Sequence, residues 1–362
     1  MVKRTQALLP WALALLVLAP GLPAAPAAVL DVHAAAQEAE ARDPEGKEFP
    51  SRGKRKDASE APPQGPPGGA ARREEPTFED MTKEARHIEG LFDIYEKDGR
   101  YLLALTPEQL DTDFMASITR ETGVGQFGLL AAQVLGEVPV RFRKVGRKVQ
   151  LVLRNTRFTA LDDPDIERAV AKSFSESLAG ASKIECQPHP KSGAVLVDMA
   201  PFFISDVEGI GAAFAQAFQA PYQADRENSY FSGVKGFPDN VEVDAKVHLA
   251  GNRPVNFVNL PDPRSLFITY RYSLSRVPAA PGFIPRIADD RVGHFLALFQ
   301  DFSNDRRETP YVRYVTRWNL EKDEPYAELS RPKEPIVYWL ENSVPRKYRK
   351  ALADGTLLWN RA

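Results

Sequence analysis

Past residue 36, four histidines and one cysteine carry most of the metal-ligating and nucleophilic potential of the chain: His87, His189, His248, His294 and Cys186. No two of these histidines stand four apart. There is no H-E-x-x-H, the helical pair with an intervening glutamate by which a zinc hydrolase holds its metal and moves a proton. His248 lies in the alternating run V-D-A-K-V-H-L-A and His294 beside Val292 and Phe295, so both are expected to be ordinary hydrogen-bonded histidines. Cys186, in I-E-C-Q-P-H-P, does not match a protease prosegment's cysteine switch and reads as a half-buried strand thiol. Gly123-Val124-Gly125-Gln126-Phe127-Gly128 is a formal G-x-G-x-x-G. The strand after it, however, ends among Arg141, Arg143 and Lys144 instead of the acid that would hold a ribose, so a glycine loop is expected. Asp301-Phe302-Ser303-Asn304-Asp305 spaces oxygens as a calcium loop does, but Arg306 and Val312 stand where glycine and a bidentate glutamate are needed. With no G-x-S-x-G elbow either, no catalytic, cofactor-binding or metal-ligating residue and no cofactor is assigned within this chain.

The elements that would position these residues are mostly strands. Leu91 to Tyr95 and Tyr101 to Leu105 flank Lys97-Asp98-Gly99, a hairpin signal. Val138 to Arg143 alternates, turns at Gly146 and returns as Val149 to Leu153; Ile184 to Gln187 and Ala194 to Met199 bracket a Pro-Lys-Ser-Gly turn. Phe114 to Thr119, Val241 to Leu249, Leu266 to Leu274, Phe295 to Phe299 and Tyr311 to Trp318 are further strands. Helical spacing appears at Ile166 to Leu178 and Val207 to Phe218. Tight turns without regular helix alternation predict a β-dominated α+β fold of antiparallel sheets and hairpins.

Composition bounds the partners. The 362 residues carry 47 basic and 49 acidic side chains, a net charge of -2, which excludes bulk nucleic-acid or anionic-membrane binding. A lone cysteine excludes a disulfide framework. Lys3, Arg4 and the apolar run Ala7 to Ala19 predict a cleaved secretory signal over 1–36, with Ala25-Pro26-Ala27 and Ala34-Ala35-Ala36 as cleavage sites. That run is too short for a stable membrane span, so a secreted or periplasmic protein is expected. Residues 37–76 are rich in Pro, Gly and charge and predict a disordered tether; with the signal they hold eleven of the 30 prolines.

The last third carries D-D-R-V-G-H-F from Asp289, Y-V-R-Y-V-T-R-W-N-L from Tyr311, L-S-R-P-K-E-P-I-V-Y-W-L-E-N-S-V-P-R-K-Y-R from Leu329, and L-W-N-R-A. This order resembles the N-terminal region, a domain of unknown function, that precedes the catalytic domain of bacterial secreted zinc-dependent metalloproteases of metzincin-like type. The resemblance runs from about Glu89 onward; His294 departs from it, standing where an aromatic residue is expected. It implies a β-rich region over 77–333 and, over 334–362, the opening strand (Ile336 to Leu340) and helix (from Val344-Pro345) of a catalytic domain whose H-E-x-x-H would follow Ala362. Tyr348, Leu352, Gly355 and Trp359 fall on one face of that helix. Zinc then belongs to complete relatives, and the expected partner is a protease catalytic domain or a peptide or protein substrate. The alternative is a stand-alone exported module that binds a peptide, glycan or partner protein.

Overall fold

The computed structural model describes residues 75–161, 163–277, 282–304 and 306–361. The signal and the tether up to residue 74 lie outside the described residues. In chain order the elements begin with α1 (Phe78–Thr82), β1 (Arg86–Ile88), β2 (Asp93–Lys97), β3 (Arg100–Leu105), β4 (Asp113–Arg120), β5 (Gln133–Val145) and β6 (Lys148–Leu153). There follow β7 (Phe158–Thr159), α2 (Pro164–Ser173), β8 (Ser177–Lys183), β9 (Val195–Asp198), α3 (Ala200–Phe203) and α4 (Ile210–Phe218). The chain continues through β10 (Gln223–Gly236), β11 (Asn240–Ala250), β12 (Ser265–Arg276), β13 (Leu296–Asp301), β14 (Tyr311–Val315) and α5 (Arg346–Leu357). The fold is the expected β-dominated α+β one, with one antiparallel sheet curled into a half-barrel.

Three sheets form: β1-β2-β3-β9, the seven-stranded β10-β11-β12-β4-β5-β6-β8, and β14-β13-β7. The first two are antiparallel throughout; in the third, β7 joins β13 in parallel through two residue pairs. Local chemistry explains the hairpins. Asp98 and Gly99 both take positive φ between β2 and β3, as a two-residue hairpin with right-handed strand twist requires. Gly146 does the same between β5 and β6.

Alternation decides the layers. On β3 and β9, Leu103, Leu105, Val195 and Val197 face the main core, whereas Leu102, Ala104 and Leu196 face a second cluster with Phe78 of α1 and Cys186. On β11, Val241, Val243, Ala245, Val247 and Leu249 point inward against Leu266, Ile268, Tyr270, Tyr272 and Leu274 of β12. Each such branched side chain contributes roughly 1.5–3 kcal/mol when buried. Phe142 packs edge to face with Phe92 and Phe114 where the two sheets meet, and the Phe92 ring tilts against Phe114, with centroids 5.7 Å apart for Phe92 and Phe142 and 4.9 Å for Phe92 and Phe114.

Three expectations fail. Ile184 to Gln187, expected as a strand, forms a single bridge, Ile184 to Val197, and then turns away from the ladder. The helix expected over Ile166 to Leu178 is α2, capped by Asp163 and started by Pro164, and it stops at Ser173. Ser177–Lys183 instead pairs with β6, so ladder hydrogen bonds outweigh a short helix's propensity. Ile336 to Leu340, expected as a strand, has no ladder, because among the described residues no strand runs beside it to take its N–H and C=O groups. The helix after it does form, with Pro345 as its N-cap residue.

Candidate functional site

The residues singled out in sequence are dispersed. His87 Nε2 lies 2.8 Å from Asp93 Oδ1 and its ring stacks on Tyr95. His189 contacts the Ser192 hydroxyl and the edge of Phe78, and His294 is exposed. Cys186 is fully buried, and that burial pushes its thiol up to about 11, which keeps it a neutral and unreactive packing group. Among the described residues no three His, Cys, Asp or Glu side chains converge as a metal site would need.

The glycine loop is tied inward. The Val124 and Gly125 N–H groups donate to Leu129 O, and Gln126 and Asn259 bond across to the other loop's backbone. A Cβ on Gly123 would stand 2.2 Å from Leu129 O, so that glycine serves close backbone approach, not phosphate binding. Asp301 accepts from the Ser303 N–H and from Arg307 within its own turn, and Asp305 lies outside the described residues. A 740 Å³ cavity beside β14 holds Asp289, Asp290, Asp301 and Glu308, of which Asp289 is paired with Arg291 and Asp301 with Arg307.

Two arrangements were not foreseen. On the outer face of the seven-stranded sheet, His248 Nδ1 lies 3.0 Å from Asp225 Oδ2 and His248 Nε2 lies 2.8 Å from Ser265 Oγ. With Nδ1 protonated toward the carboxylate, Nε2 accepts from the serine hydroxyl, the connectivity of a nucleophile, base and orienting acid. Hydrogen bonds from Asn228, then His248, hold the Asp225 carboxyl below its usual range. Hydrolysis also requires donors for an oxyanion and a concave surface. Here the Ser265 N–H donates to Asp262 O and the Arg264 N–H to Asp262 Oδ1, and neither of the two cavities described includes the three residues. The relay therefore clips β10, β11 and β12 together. Its one sequence signal was the outward register of His248 in an alternating strand; Asp225 stands directly opposite it.

The second arrangement lies inside the half-barrel. Arg120, at the end of β4, is 2% exposed, and a buried guanidinium requires full pairing. Its Nε donates to Leu130 O at 3.0 Å, its Nη2 to Gly128 O and Gln133 Oε1, and its Nη1 lies 3.3 Å from Glu208 Oε2. Glu208 sits on the loop between α3 and α4, and burial raises its pKa against the opposing pull of Arg120. The buried Glu208 Oε1 and Tyr270 hydroxyl lie against each other without a hydrogen bond of normal geometry; burial first, and then the Glu208 charge, raises the tyrosine's pKa. Beside them a 360 Å³ cavity opens, lined by Ile118, Leu135, Val138, Val207, Glu137 and Glu208. It combines apolar walls with two carboxylates, Glu137 and Glu208, the usual makeup of a small binding site.

No helix among the described residues is long and apolar enough to cross a membrane. Comparison with curated proteins and with solved structures finds no match. A family model described as a domain of unknown function, DUF5117, matches residues 132–323, more than half of the 362 residues. Its first residues open β5, yet β4, just outside it, pairs with β5 and β12 at the centre of the large sheet, so the folded unit exceeds the matched region. By that shared sequence, wrapped around the half-barrel and its cavity, the chain belongs to the DUF5117 family.

Proposed function

We propose that this chain is the exported, non-catalytic part of a zinc-dependent metalloprotease-type protein, and that residues 282–361 meet the catalytic domain. The sequence support is the ordered series R-V-G-H-F, R-W-N-L, P-I-V-Y-W-L-E and L-W-N, which resembles the region before metzincin-type catalytic domains. The observation that carries the function is the uncovered apolar surface of the same stretch. None of its described residues is buried, and Phe295, Leu329 and Trp339 are 81%, 91% and 90% exposed. So many large apolar side chains left in water within one stretch suit a surface that a partner covers. In the complex, zinc held by the partner would polarise the scissile carbonyl and activate water, and this chain would contribute a wall, not a ligand.

The test is direct. A separately produced H-E-x-x-H catalytic domain from a DUF5117-containing relative, mixed with the full chain, is expected to form a complex in sedimentation velocity. Phe295→Asp with Trp339→Asp abolishes it while the body's unfolding is unchanged; failure to associate at micromolar concentration overturns the proposal. Export rests on the apolar run Ala7 to Ala19. A mature N-terminus just after Ala27 or Ala36 in the exported fraction is expected, and an uncleaved cytoplasmic chain would refute it. A second reading, a binding module for a peptide, glycan or partner protein, is favoured by the cavity beside β5, which this chain forms alone.

A further inference from the structure

β5 runs for 13 residues but is only partly flanked. Its first half pairs with β4 except at Leu135, the extra residue of a register shift, whereas β6 covers it only from Val140 to Val145. Arg154 N–H donates to Pro139 O at 2.8 Å and closes that ladder. Backbone groups on a strand alternate sides, so the N–H and C=O of Glu137, two residues before Pro139, face the same open side. No described backbone group bonds to them. Unpaired edges are usually blunted by lysine or proline, and Gln133 to Val138 contains neither. A register shift between Ile118 and Thr119 bends the strand here, and bulges of this kind often lie beside binding sites.

The cavity opens against this edge. Ile118, Leu135, Val138 and Val207 supply its apolar wall, and Glu208 supplies a carboxylate whose Oε1 is turned to the Tyr270 hydroxyl. Glu208 Oε2 is already held by Arg120. With both oxygens already engaged, the carboxylate offers a ligand its charge and no free fork, which suits the point charge of an ammonium and not the two-pronged guanidinium. With Glu137 also at the cavity and Arg120 the one cation bound to Glu208, the balance there is acidic.

We infer that the first half of β5 accepts an extended peptide as an added strand, with one lysine of that peptide entering the cavity. The peptide's backbone pairs with Glu137, its lysine stem lies along Ile118, Leu135, Val138 and Val207, and its ammonium lies in the field of the Glu208 carboxylate. Strand addition supplies affinity through main-chain hydrogen bonds, and the pocket supplies selectivity. The inference is independent of the docking proposed for residues 282–361, since Phe295→Asp with Trp339→Asp leaves it intact.

The probe is a fluorescein-labelled, end-capped peptide of alternating threonine and valine with a central lysine, read by anisotropy against the full chain. Saturable binding is expected, with the central-glutamate peptide about tenfold or more weaker, a difference of one charge-assisted contact. Glu137→Pro, which removes the open N–H, is expected to cost about tenfold, and Glu137→Ala, which keeps it, clearly less. Glu208→Gln erases the preference for lysine over glutamate, and circular dichroism verifies that each variant is folded. Hydrogen exchange of the Glu137 amide slows in the complex. Equal binding of both peptides, an unaffected Glu137→Pro variant, no saturable binding, or a dimer of the chain that Glu137→Pro dissociates would each overturn the inference.

Discussion

Residues 75–277 and 282–361 are built on opposite terms. The first stretch contains every buried apolar side chain described, arranged by strand alternation into two clusters on either side of β3 and β9. The second has abundant apolar residues, and none of those described is buried, although β13 and β14 pair and α5 is a regular helix. It touches the body at a small joint, where Phe158, Phe174 and Phe302 stack and β7 pairs with β13. Secondary structure alone therefore does not make a core; a sheet or helix face needs an opposing layer. In the body, two sheets oppose each other. Over 282–361 no described layer opposes the sheet or the helix; under the proposed function a partner supplies it.

The difference can be broken most forcefully in the body. Leu249→Ala, at a side chain with no exposure, is expected to cost about 2–5 kcal/mol in urea unfolding. Leu329→Ala, 91% exposed, stays within about 0.5 kcal/mol. Equal losses would show that the two stretches share one core. Next comes backbone packing. Gly123→Ala drives a Cβ into Leu129 O and is expected to lower stability by about 1–3 kcal/mol, while Gly293→Ala meets open space and changes little. A silent Gly123→Ala would mean that the loop relaxes freely.

The outer-face relay gives a smaller effect. Ser265→Ala removes one partner of His248 and is expected to cost about 1 kcal/mol. A serine-reactive fluorophosphonate is expected to leave Ser265 unlabelled, and stoichiometric labelling that depends on His248 would turn the clip into a catalytic site. The smallest effect should be the same in both stretches. Asp262 and Asp289 each lie two residues before an arginine that grips them, and each carboxyl is held at about 2. A depressed acid stabilises the fold above its unfolded pKa, so this contribution is full above about 4 and fades as pH falls through about 2. Carbon-13 titration of both carboxyls should give the same low midpoint; divergence would show that tertiary surroundings, not the local arginine, set it.

Much of the body was legible. The Asp98-Gly99 hairpin, the Gly146 turn and the alternation of β11 and β12 are local patterns of a few residues, and each appears where its spacing placed it. Cys186 was read as a half-buried strand thiol; it is fully buried in the minor cluster, on a segment that bridges to Val197. The relay and the cavity were not legible, because their members are assembled by register. Asp225 reaches His248 only because β10 aligns those two residues, and Ser265 reaches it only because β12 pairs on the other side. Arg120 meets Glu208 across 88 positions of sequence, through the loop that α3 and α4 suspend over β4. The strand expected at Ile336 to Leu340 failed for the complementary reason: its pattern was right, but it had no neighbour.

What this chain determines by itself, through turn glycines, capping groups and period-two alternation, is which segments extend, where they reverse and which of their faces is apolar. These depend on dihedral preferences and contacts within a few residues. Which strands become neighbours was decided only in three dimensions: β4 between β12 and β5, β9 beside β3, and the half-barrel that sets Glu208 between Arg120 and Tyr270 next to an open edge. Pairings such as Phe114 with Arg276 depend on burying two sheets against each other, an energy shared by the whole body and written in no single stretch of sequence.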